Sequence, residues 1–302
     1  MPVATPYTTE VSLPADPTAS DPYFYGWRYV ERQLPDGTSK FDQVPLTEWD
    51  VLHPQEDDFI VTNEAHNRDC AYLKVALQLV LKGREGIQIF ADHRVDWEVP
   101  ELYPHGPDVT VIDGLEEQWD PLIGTFPMRS WNGHPLLVME VTSPSTRKGD
   151  LNEKVTEYHK AGVPYYVIVD RYETRGQVKV ELIGYRTTPE GYVRMEQDAD
   201  KGLWIPTVNL WFKLEEQKIF CWRSNGKRIA EPIEMEAEMQ EERQRRESET
   251  IRADEESRRA KKESQRAEQE RQRAEQERQR ADDLERQLRE AEEKISRLTA
   301  GN

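Results

Sequence analysis

Cysteine, positive charge and long apolar runs are all scarce in this 302-residue chain, and each scarcity removes a class of protein. The two cysteines, Cys70 and Cys221, are far apart and neither belongs to a C-x-x-C pair, which argues against a disulfide framework and against a structural zinc site. No apolar run approaches the roughly 18 residues that span a bilayer. The N-terminus lacks the basic start and apolar stretch of a signal peptide. The expectation is a cytoplasmic protein with no membrane partner. The 41 basic residues are outnumbered by 58 acidic ones, for a net charge of −17. A chain of that balance does not coat nucleic acid through bulk basicity, although a local basic patch or a bridging metal leaves DNA open as a partner.

What the chain has in abundance is charge, placed unevenly. Residues 231–302 carry 22 acidic and 17 basic side chains, while all eight tryptophans and all seven phenylalanines lie in the first 230 residues. One packed core is therefore expected over residues 23–230, after a flexible leader at 1–22 rich in Pro, Thr, Ser and Ala. In the tail, 231–302, the heptad Arg266-Ala267-Glu268-Gln269-Glu270-Arg271-Gln272 recurs word for word at 273–279. Ala253, Ala260, Ala267, Ala274, Ala281, Leu288 and Ile295 share one heptad position. The partner position holds glutamates until Leu284, Ala291 and Leu298. A real apolar seam therefore covers only residues 281–298, under three heptads. Upstream, Arg and Glu at three- and four-residue spacing support a solvated helix. A helix over 234–298 would be a rod of about 100 Å at 1.5 Å per residue. A lone solvated helix and one that pairs near its end, with a second copy or a partner helix, are both open.

Within the core region, the aromatics of 23–30 suggest core packing, followed by a turn at Pro35-Asp36-Gly37. Leu73, Ala76, Leu77, Val80 and Leu81 make one apolar helical face over 63–81, with Asn63 as N-cap and Gly83 past the C-terminus. Segments 87–90, 108–112 and 136–141 read as strands, the last apolar throughout except for Glu140. Asp150 and Glu153 form a capping-box pattern for a second helix, with Leu151, Val155 and Tyr158 as its buried stripe and Gly162-Val163-Pro164 as its end. Segment 165–170 reads as a buried strand, and 178–185, 192–195 and 212–222 as antiparallel strands. The pattern is that of a mixed α/β sheet.

Four features then follow in order: Pro107-Asp108 opening a strand, Glu140 inside a buried strand, the turn Thr142-Ser143-Pro144-Ser145-Thr146, and Lys154 early in a helix. A carboxylate buried without a partner costs several kcal/mol, so Glu140 needs a reason. A divalent cation shared with Asp108 is one; Mg²⁺ is content with one or two carboxylates plus water and phosphate. A nearby lysine can orient or deprotonate water and stabilise charge on a phosphate. The plainer reading stays open: Glu140 neutralised by Lys154 or Arg147, Asp108 a turn residue, Lys154 on a wet helix face.

The run Pro107-Asp108-Val109, then Leu137-Val138-Met139-Glu140-Val141-Thr142-Ser143-Pro144-Ser145-Thr146, Asp150, Lys154, Tyr158 and the stretch from Ala161 to Asp170, resembles a restriction-endonuclease family abundant in cyanobacteria. That family is a branch of the PD-(D/E)XK nuclease superfamily, and the likeness covers roughly residues 45–220. The resemblance implies a restriction-endonuclease-like fold, a mixed central sheet flanked by helices, here followed by a long C-terminal α-helix with a short coiled-coil seam. It also implies Mg²⁺- or Mn²⁺-dependent hydrolysis of DNA, with Asp108 and Glu140 as metal ligands and Lys154 as the catalytic lysine. The superfamily's usual lysine stands two residues after the second acid, where this chain has Thr142; Lys154 on the following helix takes its place. Glu64 and His66 open the first helix near where the family often has a histidine, and capping and solvation are the simpler explanation for both. Two functions follow: a metal-dependent endonuclease, or a catalytically degenerate nuclease scaffold that acts in assembly through its tail.

Overall fold

The computed structural model describes Thr18 and residues 20–299, so the expected leader at 1–22 lies almost wholly outside the described residues. The chain divides into two units, Met1–Pro232 and Ile233–Asn302.

The first unit opens with a hairpin of β1 (Trp27–Gln33) and β2 (Ser39–Pro45), turned at Pro35-Asp36-Gly37. This corrects the expectation that the aromatics of 23–30 are core. Two paired strands make no core of their own: Tyr23 and Tyr29 stand 36% and 52% exposed, and Phe24, Tyr25 and Trp27 are only half-buried. The hairpin is tied down at Gly26, whose φ of +108° no other residue adopts easily and whose missing Cβ would meet Phe59 O at 1.9 Å. A short helix α1 (Glu48–Leu52) follows, closed by a reciprocal cap between Thr47 and Asp50. Helix α2 (Glu64–Leu81) has Asn63 as its cap, as expected, with Leu73, Ala76 and Leu77 fully buried.

The central sheet is built from β3 (Gln88–Ala91), β5 (Val109–Asp113), β7 (His134–Val141), β8 (Tyr165–Thr174), β9 (Gln177–Thr188) and β10 (Gly191–Arg194). Its order is β10-β9-β8-β7-β5-β3, parallel at β7–β8 and antiparallel elsewhere. Between β3 and β7 the chain adds a small parallel pair, β4 (Arg94–Asp96) and β6 (Thr125–Pro127). Strand β8 is buried from Tyr166 to Asp170, which is why its sequence is continuously apolar rather than alternating. Tyr166 and Ile168 pack with Trp97, Phe126 and Tyr158 in one core cluster, and alternation turns Val167 and Val169 to the other side. Helix α2 packs against β3, β5 and β7.

The helix expected after Asp150 is two pieces, α3 (Arg147–Leu151) and α4 (Glu153–Lys160), broken at Asn152. Asp150 is not a cap. It lies inside α3 and is completely buried, and neither piece has a side-chain cap. Helix α4 ends as expected at Gly162, φ +81°, with Val163 N–H bonded to Tyr158 O and Gly162 N–H to His159 O. The stretch 212–222, expected as one strand, is two: β12 (Leu210–Glu215) and β13 (Lys218–Arg223). They turn at Glu216 and Gln217, both left-handed, and with β11 (Leu203–Ile205) form a second sheet. The Tyr72 hydroxyl fastens α2 to this sheet, donating to Ile229 O and accepting from Cys221 N–H.

The second unit is helix α5 (Pro232–Thr299), exposed from Glu236 to Lys294 and laced by pairs such as Arg246–Glu242 and Arg289–Glu285. Among the described residues no helix is long and apolar enough to cross a membrane.

Candidate active site

Sheet register brings the two predicted acids together. Strands β5 and β7 pair with Val109 opposite Met139, so Asp108 falls opposite Glu140 although 32 residues separate them. The Asp108 carboxylate accepts the Val141 N–H at 2.6 Å, and the Asp108 N–H points at Glu140 Oε2 at 3.4 Å. From α4, one turn apart, Lys154 Nζ and the Tyr158 hydroxyl both donate to Glu140 Oε1, at 2.9 and 2.6 Å. Lys154 is only 5% exposed, so the wet-face alternative for it does not hold. All three predicted residues meet at one place.

Two further residues, Asp150 and His66, join the site without being expected there from sequence. Asp150 pairs with Lys154 at 2.8 Å across the break between α3 and α4. His66 is turned inward from the first turn of α2, 2% exposed, rather than solvated. Its Nδ1 meets Val141 O at 2.7 Å, which fixes the proton there because a carbonyl only accepts. In the neutral ring Nε2 then carries the lone pair; it has no hydrogen-bond partner among the described residues and lies 3.4 Å from Asp108 Oδ1. Asn63 does cap α2, through the His66 N–H, so the capping signal was real and only the imidazole was misplaced.

Three carboxyls thus share one buried ammonium. Burial, then the Glu140 charge, raises the Asp108 carboxyl well above the ordinary range. Burial pushes Asp150 up to about 6 despite the ammonium beside it. Burial alone would lower Lys154, but Asp150, Glu140 and Asp108 outweigh it and hold its pKa above the usual lysine value. Two of these acids, Asp108 and Glu140, line a cavity of about 430 Å³ with His66, Asp92, Arg94 and Lys154 on its wall. His66, Cys70 and Asp108 present donor atoms within 4.8 Å of one another and can hold a cation. Burial pushes the Cys70 thiol up, so it stays protonated and is the weakest of the three as a ligand.

His53, His105 and Glu157 make a second cluster of the same kind, but its hydrogen bonds argue otherwise. Trp97 Nε1–H donates to His105 Nδ1 at 2.8 Å, so the neutral ring carries its proton on Nε2 and donates it to Glu157 at 2.7 Å. A ring with both nitrogens so engaged has no lone pair for a metal.

Thr142, where the superfamily's lysine usually stands, turns its hydroxyl to the Asp170 carboxylate and accepts the Arg171 N–H. Asp170 itself is closed by a two-pronged pair with Arg147, at 2.7 and 2.9 Å.

A mixed sheet with paired carboxylates at the junction of two strands and a lysine on the next helix defines a restriction-endonuclease-like class of protein. The profile of the Uma2 family, described as putative restriction endonuclease, matches residues 57–242, and the chain belongs to that family. Among solved structures, a putative nuclease belonging to DUF820 from Anabaena variabilis ATCC 29413 is similar at 13% identity. That match covers 50% of this chain and 76% of the other with a TM-score of 0.28, too loose a likeness to argue from. No curated protein matches the chain.

Proposed function

We propose that the protein is a metal-dependent endonuclease that hydrolyses DNA phosphodiester bonds in the cytoplasm, with Asp108, Glu140 and Lys154 at its centre. The observation that carries this reading is the crowding of acids: Asp108, Glu140 and Asp150 are buried around one ammonium, and the first two face an open cavity. Such an arrangement is costly in an apo protein and becomes favourable around a cation. Asp108 and Glu140 would hold Mg²⁺ or Mn²⁺, and the lone pair on His66 Nε2 offers a third donor, better suited to Mn²⁺ than to Mg²⁺. When bound, the cation supplies Lewis-acid stabilisation of charge on the phosphate.

The chain's own residues do the rest. Lys154, kept cationic by its carboxylates, is an electrostatic clamp for a phosphate oxygen and not a general base. Asp150 and Tyr158 position it and Glu140: one holds the ammonium, the other fixes Glu140 Oε1. The rival reading, a degenerate scaffold acting through its tail, rests on Thr142 and on the long charged helix; the Lys154 ammonium beside Glu140 supports the nuclease reading over it.

The test is cleavage of plasmid DNA with Mg²⁺ or Mn²⁺. Glu140→Ala is expected to lose metal-dependent cleavage with folding retained, and unchanged cleavage overturns the assignment. The three parts proposed for the chain are the leader 1–22, the nuclease domain 23–230 and the tail 231–302, which pairs two chains through residues 281–298. Sedimentation of full-length protein against a chain ending at 232 tests the pairing; identical association states remove it.

A further inference from the structure

Beside the acid-lined cavity lies a second one of about 330 Å³, and the two share Val51, Thr146 and Lys154 in their walls. Trp49 lines it from α1 with 57% of its surface in water. An indole in that position forgoes a large apolar burial, and this one is not free to fold away. The His53 ring lies against it, centroids 3.9 Å apart, and Tyr103 meets it edge-on at 5.4 Å. The helix that presents it is fixed as well. Thr47 and Asp50 cap it, Arg28 holds Asp50 at 2.6 Å, and Val51 is buried beneath. The result is a rigid aromatic face at the edge of the catalytic cavity.

The rest of the lining decides what that face receives. Leu52 and the turn residues Ser145 and Thr146 give an apolar and hydroxyl-bearing floor. Lys148 is already engaged by Glu48 at 2.8 Å, Lys154 belongs to the wall shared with the acid-lined cavity and turns its ammonium to Glu140 there, and Glu153 adds another negative charge. A phosphate gains nothing here, whereas a flat neutral ring meets a stacking surface and polar edges.

We propose that this cavity takes one unstacked nucleobase, stacked on Trp49, from the strand whose phosphate lies at the Asp108–Glu140 centre. It rests on the nuclease reading above and adds a substrate class: DNA with an unpaired or easily extruded base beside the scissile bond. Extrusion costs least where a base is already unpaired, and stacking on an aromatic side chain is indifferent to which base it is. The site therefore selects for local structure rather than sequence.

The test measures binding of the full-length protein to two DNA duplexes, with Ca²⁺ in place of Mg²⁺ to hold back cleavage. One duplex is fully paired and contains 2-aminopurine; in the other the same 2-aminopurine faces an abasic site. The unpaired form is expected to bind about tenfold more tightly, the scale of one base–aromatic stack. Trp49→Ala is expected to erase that preference and Trp49→Phe to keep most of it, both with wild-type circular dichroism and urea midpoints. Equal wild-type affinity for the two duplexes, or a preference that survives in Trp49→Ala, overturns the base cavity and leaves the nuclease reading standing. Binding to neither duplex overturns the nuclease reading and the cavity with it.

Discussion

Glu140 and Asp170 lie on adjacent parallel strands, each a buried acid in an otherwise apolar stretch, yet their surroundings differ in one respect. Asp170 has its own cation: Arg147 grips both carboxylate oxygens, and the Thr142 hydroxyl adds a third contact. Glu140 has to share Lys154 with Asp150 and lies against Asp108 as well. One acid is neutralised by its partner; the other belongs to a group left with excess negative charge at the wall of a cavity. A buried carboxylate in a strand is therefore not by itself a site. The imbalance around it is what distinguishes a functional group from a structural one.

That comparison can be broken by substitution. The largest effect is expected for Lys154→Met, which leaves Glu140 and Asp150 buried without their cation. Urea unfolding should record a loss of about 3–5 kcal/mol, and a smaller loss means the acids are already compensated elsewhere. Next comes Asp170→Asn, which removes a charge-assisted pair and should cost about 1–3 kcal/mol with metal binding intact. Asp108→Asn should have the opposite sign. The amide can still accept the Val141 N–H while removing one charge from an overcrowded group, so stability should stay level or rise by about 1 kcal/mol as metal affinity falls. A stability loss in Asp108→Asn as large as that in Asp170→Asn would erase the distinction between the two regions.

The smallest effect is a pH dependence from His105. Burial lowers its pKa below the ordinary value against the pull of Glu157, and its Nδ1 is occupied by the Trp97 N–H. Above about pH 6.5 the ring is neutral in both folded and unfolded chains, so its contribution is fully present. As pH falls below that value the unfolded chain takes up a proton that the folded chain refuses, and stability declines until the folded pKa is passed. Thermal melts of wild type and His105→Gln across that range should converge toward acid; parallel curves would contradict the assignment.

Much of this was legible in the sequence, and the misses have particular causes. Asp108, Glu140 and Lys154 could be read because their types and order form a pattern, and the sheet register then supplies the contact. Asp150 was misread because an acid three residues before a glutamate is also a capping signal, and only burial tells the two apart. His66 follows a true cap, so its polarity had a sufficient local explanation. What sequence cannot carry is the direction of a side chain on the first turn of a helix, which here depends on Val141, 75 residues away. The hairpin aromatics failed for a similar reason: their burial depends on whether another layer covers them.

The central claim is that Asp108 and Glu140 form a cation site, and titration calorimetry tests it most directly. Mn²⁺ binding by the full-length protein, compared with the Asp108→Ala, Glu140→Ala double variant, should be saturable in the first and absent in the second. Equal heats in the two proteins, or none in the wild type with DNA present as well as absent, would contradict the account.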